Sequence, residues 1–189
     1  MKQRIRQILS QREKKRVVDH GLTPSAVLVP LFEKAGEHHI LFTKRTDTVE
    51  NHKGQISFPG GRKDDCDSDM LATALREGFE EVGLRPEVVE VLGELDEEET
   101  FVSKFMIAPF VGYIPYPYEF ELCCEEVKEL MEVPIPVLLD KANFREDVIR
   151  DGDRTIPAYF YHYGDQVIWG ATARILKNFL DLVYTGEQT

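Results

Sequence analysis

Glu77, Glu80 and Glu81 stand three and four residues apart in the run LREGFEEVGL, a spacing that brings all their carboxylates within one turn of a helix. Acidic helix faces are usually solvated and usually alternate in sign. Here Glu77 and Glu81 are four apart with no base between them on that face. Arg76 can reach Glu80 one turn on, while Arg85 lies past the expected helix end. An oxygen-rich, uncompensated cluster suits a hard divalent cation, Mg²⁺ or Mn²⁺, which takes carboxylate ligands and retains water. Just upstream, Pro59 stiffens the entry to Gly60–Gly61, where a chain without side chains lets a backbone carbonyl approach the same ion. The candidate metal ligands are therefore Glu77, Glu80, Glu81 and the carbonyl of Gly61. Glu80, Glu81 and Arg76 are the candidate catalytic groups.

The element that must carry them is a helix. Leu71, Leu75, Gly78 and Val82 recur at helical offsets with Phe79 beside them, marking an apolar stripe roughly opposite the glutamates. Ser68 or Asp69 can cap its start and Gly83 stands where a helix stops. Gly78 is expected to let this helix pack closely on the glycine loop. Upstream, residues 25–32 and 40–44 read as strands joined by a turn at Gly36. A polar loop over 46–54 follows, and then a short strand over 55–58 feeds the glycines.

Downstream, strands are expected over 88–95 and 106–114, around a compact acidic loop at 96–100. Prolines make 113–118 a loop or lid, and residues 125–132 offer one or two helical turns ended before Pro134. Residues 147–169 form a hairpin turning at Asp151, Gly152 and Asp153, and 171–184 an amphipathic helix. Trp169 either joins the core or stacks on a base. Strands interspersed with a few helices give an α/β chain, a mixed sheet between helical layers.

At 189 residues and 42% hydrophobic content, the chain suits a single domain spanning 1–189. Its first 20 residues form a docked amphipathic helix, with Ile5, Ile8 and Leu9 inward. The basic side chains clustered there are also within a short span that could meet substrate phosphates. Lys and Arg total 23 against 34 Asp and Glu, a net charge of −11, which disfavours nucleic acid as a partner. A polyanionic substrate would be repelled too, and a bridging cation becomes more necessary. Cys66, Cys123 and Cys124 are odd in number without C-x-x-C, so they read as reduced thiols of a cytoplasmic protein. No apolar run approaches a membrane span. A homodimer is compatible with this composition.

The run Arg76–Leu84 resembles the second half of the Nudix box, G-x5-E-x7-R-E-U-x-E-E-x-G-U, where U is bulky and aliphatic. Gly78 departs from the pattern at the first U, the stretch from Gly61 is one residue longer, and Asp67 or Asp64 stands where the pattern has Glu. The resemblance implies an α/β/α sandwich and metal-dependent hydrolysis of a diphosphate. It also implies Glu77 and Glu81 as direct ligands.

A second stretch, LFTKRTDTVENHKGQISFPGG over 41–61, is similar to the extra motif of the coenzyme A diphosphatase branch. Leu41, Thr43, Arg45, Gly54, Phe58, Pro59, Gly60 and Gly61 match. Phe42, Thr46 and Glu50 depart, the last replacing an arginine. The implied reaction cleaves coenzyme A or an acyl derivative to 4′-phosphopantetheine and adenosine 3′,5′-bisphosphate. Arg45, His52, Lys53 and Arg62 are the candidate substrate contacts, with Lys44 and Lys63 as further bases. Hydrolysis of ADP-ribose or NADH, or non-catalytic nucleotide sensing, are the alternatives. The general base stays open among Glu80, Glu97, Glu98, Glu99, Glu119 and Glu121.

Overall fold

The computed structural model describes residues 1–18, 21–46, 54–100, 103–151 and 154–184. Glu50, His52 and Lys53, and the turn residues Gly152 and Asp153, lie outside them.

The main sheet is built on β1 (Thr23–Lys34), whose inner residues are apolar on both sides. Val29 and Leu31 face one core, while Ala26, Leu28 and Phe32 face the other, as period-two alternation demands of a strand covered on both faces. A turn through Ala35 and Gly36, both at positive φ, returns the chain as β2 (Glu37–Arg45), antiparallel to β1. On its other side β1 pairs in parallel with β7 (Phe105–Tyr113), which is flanked by β5 (Glu90–Glu94) and β6 (Glu98–Glu99). Two short strands, β3 (Ile56–Ser57) and β4 (Gly60–Arg62), pair with β2 and β1. One parallel pair among antiparallel ones makes the sheet mixed.

Residues 125–132 are not helical. After a turn through 125–126 they belong to β8 (Val127–Pro134), antiparallel to β2, with Val127, Met131 and Val133 buried. The apolar positions fit either period over so short a run, and the unpaired backbone on the outer side of β2 decides for the strand. The acidic loop at 96–100 likewise contains the short strand β6.

The helix α2 (Met70–Val82) covers one face of the sheet through Ala74, Gly78 and Val82. On the other face lie α1 (Lys2–Ser10) and α4 (Gly170–Tyr184), with Ile5, Leu9, Ile175, Phe179 and Val183 in one core. Helix α3 (Ile135–Leu139) and a second sheet of β9 (Phe144–Asp151), β10 (Arg154–Tyr163) and β11 (Gln166–Ile168) complete the chain. Among the described residues no helix is long and apolar enough to cross a membrane.

The N-terminal helix ends at Ser10, short of the 20 residues expected, and docks through Ile5 and Leu9. Gly93 makes room for it, because a Cβ there would lie 2.6 Å from Leu9 Cβ. Most of its basic side chains, and of those in the segment after it, are spent on carboxylates, while Arg4 donates to the Val183 carbonyl. Lys2 and Arg6 meet Glu90, Arg12 meets Asp96, Lys14 meets Glu94, and Arg16 meets Glu97. Trp169 is 46% exposed, so it is not a core residue. The 113–118 segment is packed rather than free: Tyr116 stacks on Phe32, and the Tyr118 hydroxyl donates to the Gly83 carbonyl at 2.9 Å.

Candidate active site

Helix α2 begins at an Asp69 cap, whose carboxylate accepts the Ala72 N–H at 2.8 Å, and ends at Gly83 with φ +68°. A positive φ at that position costs glycine little and any other residue more. The helix is rotated from the expected orientation. Phe79 is 52% exposed and Glu81 is only 4% exposed, so Glu81 lies beside Val82 and Gly78 on the buried margin. Tertiary packing caused the shift. Leu84 and the segment after Tyr118 cover the end of the helix, and Cys123 N–H donates to the Glu81 carbonyl at 2.9 Å.

Gly78 does not serve the glycine loop. A Cβ there would meet only Leu28 Cδ2, at 3.7 Å, an ordinary contact. Gly78→Ala should therefore raise stability by about 0.5–1 kcal/mol, the helix-propensity gain, and leave turnover unchanged. A lower melting temperature would show that the contact with Leu28 is tighter than it looks. Close approach happens one strand away, at Gly61, where a Cβ would lie 2.6 Å from the Glu77 carboxyl. The bare backbone of β4 and the Glu77 carboxylate occupy one cradle.

Arg76 organises the helix's outer side. Its Nε and Nη2 grip the two Asp67 oxygens at 3.0 and 3.1 Å, and Nη1 reaches Glu77 at 2.9 Å and Glu80 at 2.7 Å. Nη2 also donates to the Arg62 carbonyl at 3.0 Å, tying the helix to the end of β4. Asp67, not Asp64, is thus the acid that answers the box arginine. The Arg76 bond, the Asp64 N–H and the Thr73 hydroxyl hold its carboxyl well below the usual range against the cost of burial. Asp67 in turn keeps Arg76 firmly protonated.

Glu81 has less support. It accepts the Gly60 N–H at 3.3 Å and faces Arg45 Nη1 at 3.8 Å. Burial pushes its pKa up to about 8, with Arg45 and the Gly60 bond opposing and the Glu77 and Glu126 charges adding. Burial also raises Glu77, against Arg76. A buried carboxylate in this state lacks a full counter-charge. An all-oxygen donor set, a glycine cradle and an under-compensated buried acid fit a hard divalent cation. Among the described residues no three His, Cys, Asp or Glu side chains are already gathered as a ligand set. Arg76 holds Glu80, whose side chain is 55% exposed, on the outer side.

Of the expected contacts, Arg45 stands beside Glu81 and Arg62 is exposed at the end of β4 next to Gly61. Lys44 pairs with Glu129, and Lys63 donates to the Asp67 carbonyl. Two candidates for the base are tied up. Glu97 accepts from Arg16 and from Val17 N–H, and Glu98 is bound by Arg174 at 2.7 Å. Glu126 is the acid that sequence reasoning missed, and its charge acts on both Glu77 and Glu81. It arrives because Glu126 N–H donates to the Cys123 carbonyl and its own carbonyl accepts from Thr46 N–H, at the end of β2. No spacing in that glutamate-rich stretch marks it.

Comparison with known proteins agrees with this geometry. Residues 22–151 match the NUDIX domain, more than half of the chain. The uncharacterized Nudix hydrolase NudL of Cronobacter sakazakii is 37% identical over 156 residues, covering 81% of this chain and 79% of that protein. The mouse peroxisomal coenzyme A diphosphatase NUDT7 is 35% identical over 140 residues, 74% of this chain and 59% of that protein. Among solved structures, a MutT/nudix family protein from Enterococcus faecalis has a TM-score of 0.60 at 14% identity, over 91% of this chain and 65% of that one. The Ap4A hydrolase of C. elegans has a TM-score of 0.52 at 18% identity, over 61% of this chain and 82% of that one. At those identities the two structures speak to the fold alone. With a glycine strand set against the box helix, and a domain match that spans both, the chain belongs to the Nudix hydrolase family.

Proposed function

We propose that the chain hydrolyses the diphosphate of coenzyme A or an acyl derivative, releasing 4′-phosphopantetheine and adenosine 3′,5′-bisphosphate. The observation that carries the hydrolytic site is the pairing of Glu77 and Glu81 around the Gly60–Gly61 strand. The substrate rests on the 41–61 motif and on the likeness to the mouse diphosphatase. ADP-ribose is the second reading, favoured by Glu50 standing in place of the motif's arginine.

Glu77 and Glu81, with the Gly61 carbonyl, are the residues that would hold Mg²⁺ or Mn²⁺. When bound, such an ion neutralises phosphate charge and acidifies its water. Arg76 fixes the backbone of β4 relative to α2 and holds the Glu80 side chain at the rim. Arg62, exposed beside Gly61, is placed to meet a phosphate oxygen, for which its planar fork is suited. We assign Glu126 as the group that accepts the proton of the attacking water. It is the exposed acid whose charge acts on both inner glutamates, and an exposed carboxylate is open to solvent protons. The free thiols Cys66, Cys123 and Cys124 suit a reducing cytoplasm.

The test is kcat/KM for coenzyme A, dephospho-coenzyme A, ADP-ribose and NADH under one Mn²⁺ condition, with products identified by mass. Coenzyme A should lead. A tenfold lead for ADP-ribose or NADH, about 1.4 kcal/mol of transition-state preference, would transfer the assignment to the second reading. In the same assay Glu126→Gln should lower kcat by about 10²–10⁴-fold, the range for a positioned acid or base, without moving the melting temperature. Near-normal turnover would remove Glu126 from the chemistry.

A further inference from the structure

We propose that Arg45 is a positioning residue for Glu81. On this view the arginine of the upstream motif serves hydrolysis of any diphosphate and does not read the 3′-phosphate of one. The proposal rests on Glu81 being an active-site carboxylate and is independent of which diphosphate is cleaved.

The backbone aims this side chain. β2 pairs with β8 in regular register as far as Lys44 opposite Glu129, but Arg45 stands opposite Val127, so Lys128 is an extra residue in the ladder. The extra residue belongs to β8, while along β2 successive side chains point to opposite faces, as in any strand. Lys44, before the irregularity, goes out to Glu129 at 2.9 Å, and Arg45, after it, goes in to Glu81. The turn is then locked on two sides. Arg45 N–H donates to the Gln55 carbonyl at 2.9 Å, and Thr46 N–H donates to the Glu126 carbonyl at 3.0 Å.

The guanidinium itself is committed. Its side chain is 26% exposed against 4% for Glu81, and its Nε is enclosed with no acceptor among the described residues. With Nε enclosed and Nη1 facing the Glu81 carboxylate at 3.8 Å, the Nε edge of the guanidinium is closed to a bidentate grip on phosphate. Arg76 is occupied by Asp67, Glu77 and Glu80, so Arg45 is the cation that answers the remaining acid of the box. Two arginines from separate elements thus divide the carboxylates between them, and each fixes the direction in which its partners point.

The test uses the full chain with Arg45→Ala, Arg45→Gln and Arg45→Lys, assayed on coenzyme A, dephospho-coenzyme A and ADP-ribose. Substitutions behind a metal ligand commonly cost about 10–100-fold in activity or metal affinity. Arg45→Ala should lose kcat in that range by the same factor on every diphosphate the wild type cleaves, with KM nearly unchanged. Arg45→Lys, which keeps the charge without the fork, should recover part of the loss. Mn²⁺ affinity, read from the free-ion electron paramagnetic resonance signal without substrate, should weaken in Arg45→Ala. Arg45→Gln, neutral and of similar reach, answers the same question should the alanine variant not fold. A rise in KM confined to coenzyme A, or Mn²⁺ affinity unchanged or tighter, overturns the proposal. Failure of the coenzyme A assignment shows separately, in the substrate order of the wild type.

Discussion

Glu81→Gln is expected to lower turnover by about 10²–10⁴-fold on any diphosphate the wild type cleaves, the cost of losing a positioned ionisable group. Without metal, the same variant should be the more stable protein at neutral and alkaline pH. The reason is burial, which raises the folded pKa of Glu81 from 4.5 to about 8. The folded state then binds this proton more tightly than the unfolded chain does. That stability is fully present below about pH 4.5 and is lost as pH rises through about 8. Metal-free wild type should accordingly lose melting temperature across that window, by about 5–10 °C for a loss of a few kcal/mol in a chain of this size. In Glu81→Gln the fall should be much shallower. Some slope remains, because burial shifts Glu77 in the same direction. Melting in chelator against pH, for both proteins, is the measurement. Parallel profiles would mean that Glu81 is better compensated than its surroundings indicate.

The two adjacent glycines of β4 should separate fold from catalysis. At Gly60 a Cβ would lie 2.4 Å from the Ala26 carbonyl oxygen and 2.7 Å from Val27 Cα. Both belong to the central strand, which cannot move without disturbing its pairing with β7. Gly60→Ala should cost about 1–3 kcal/mol, as overpacking does, and with it several degrees of melting temperature. At Gly61 the Cβ would instead meet the Glu77 carboxyl, the far end of a flexible side chain. That group can swing away at small cost to the fold, and it leaves the cradle when it does. Gly61→Ala should therefore melt close to wild type while losing about 10–100-fold in turnover, the penalty for a displaced ligand. Equal melting losses in the two variants would contradict the distinction. So would a fully active Gly61→Ala.

Much of this was legible in the sequence because it is local. The Asp69 cap, the Gly83 stop and the i to i+4 approach of Arg76 to Glu80 all follow from spacing along one helix. The central strands were legible too, since apolar runs covered on both faces have few other uses. The Nudix box and the motif before it pointed to the family for the same reason, their residues being contiguous.

Tertiary structure decided what periodicity leaves open. The stripe Leu71–Leu75–Gly78–Val82 was compatible with Glu81 facing water, and only the packing of Leu84 and the segment around Cys123 turned it inward. Residues 125–132 offered apolar positions to helix and strand alike, and the open side of β2 took Val127 onward as β8. That pairing placed Glu126, 45 residues downstream of Glu81, where its charge acts on both Glu77 and Glu81. Spacing along the chain reports which groups share a turn of helix. Which groups share a site depends on strand pairing, where partners far apart in sequence meet and one residue of register sends a side chain to the opposite face.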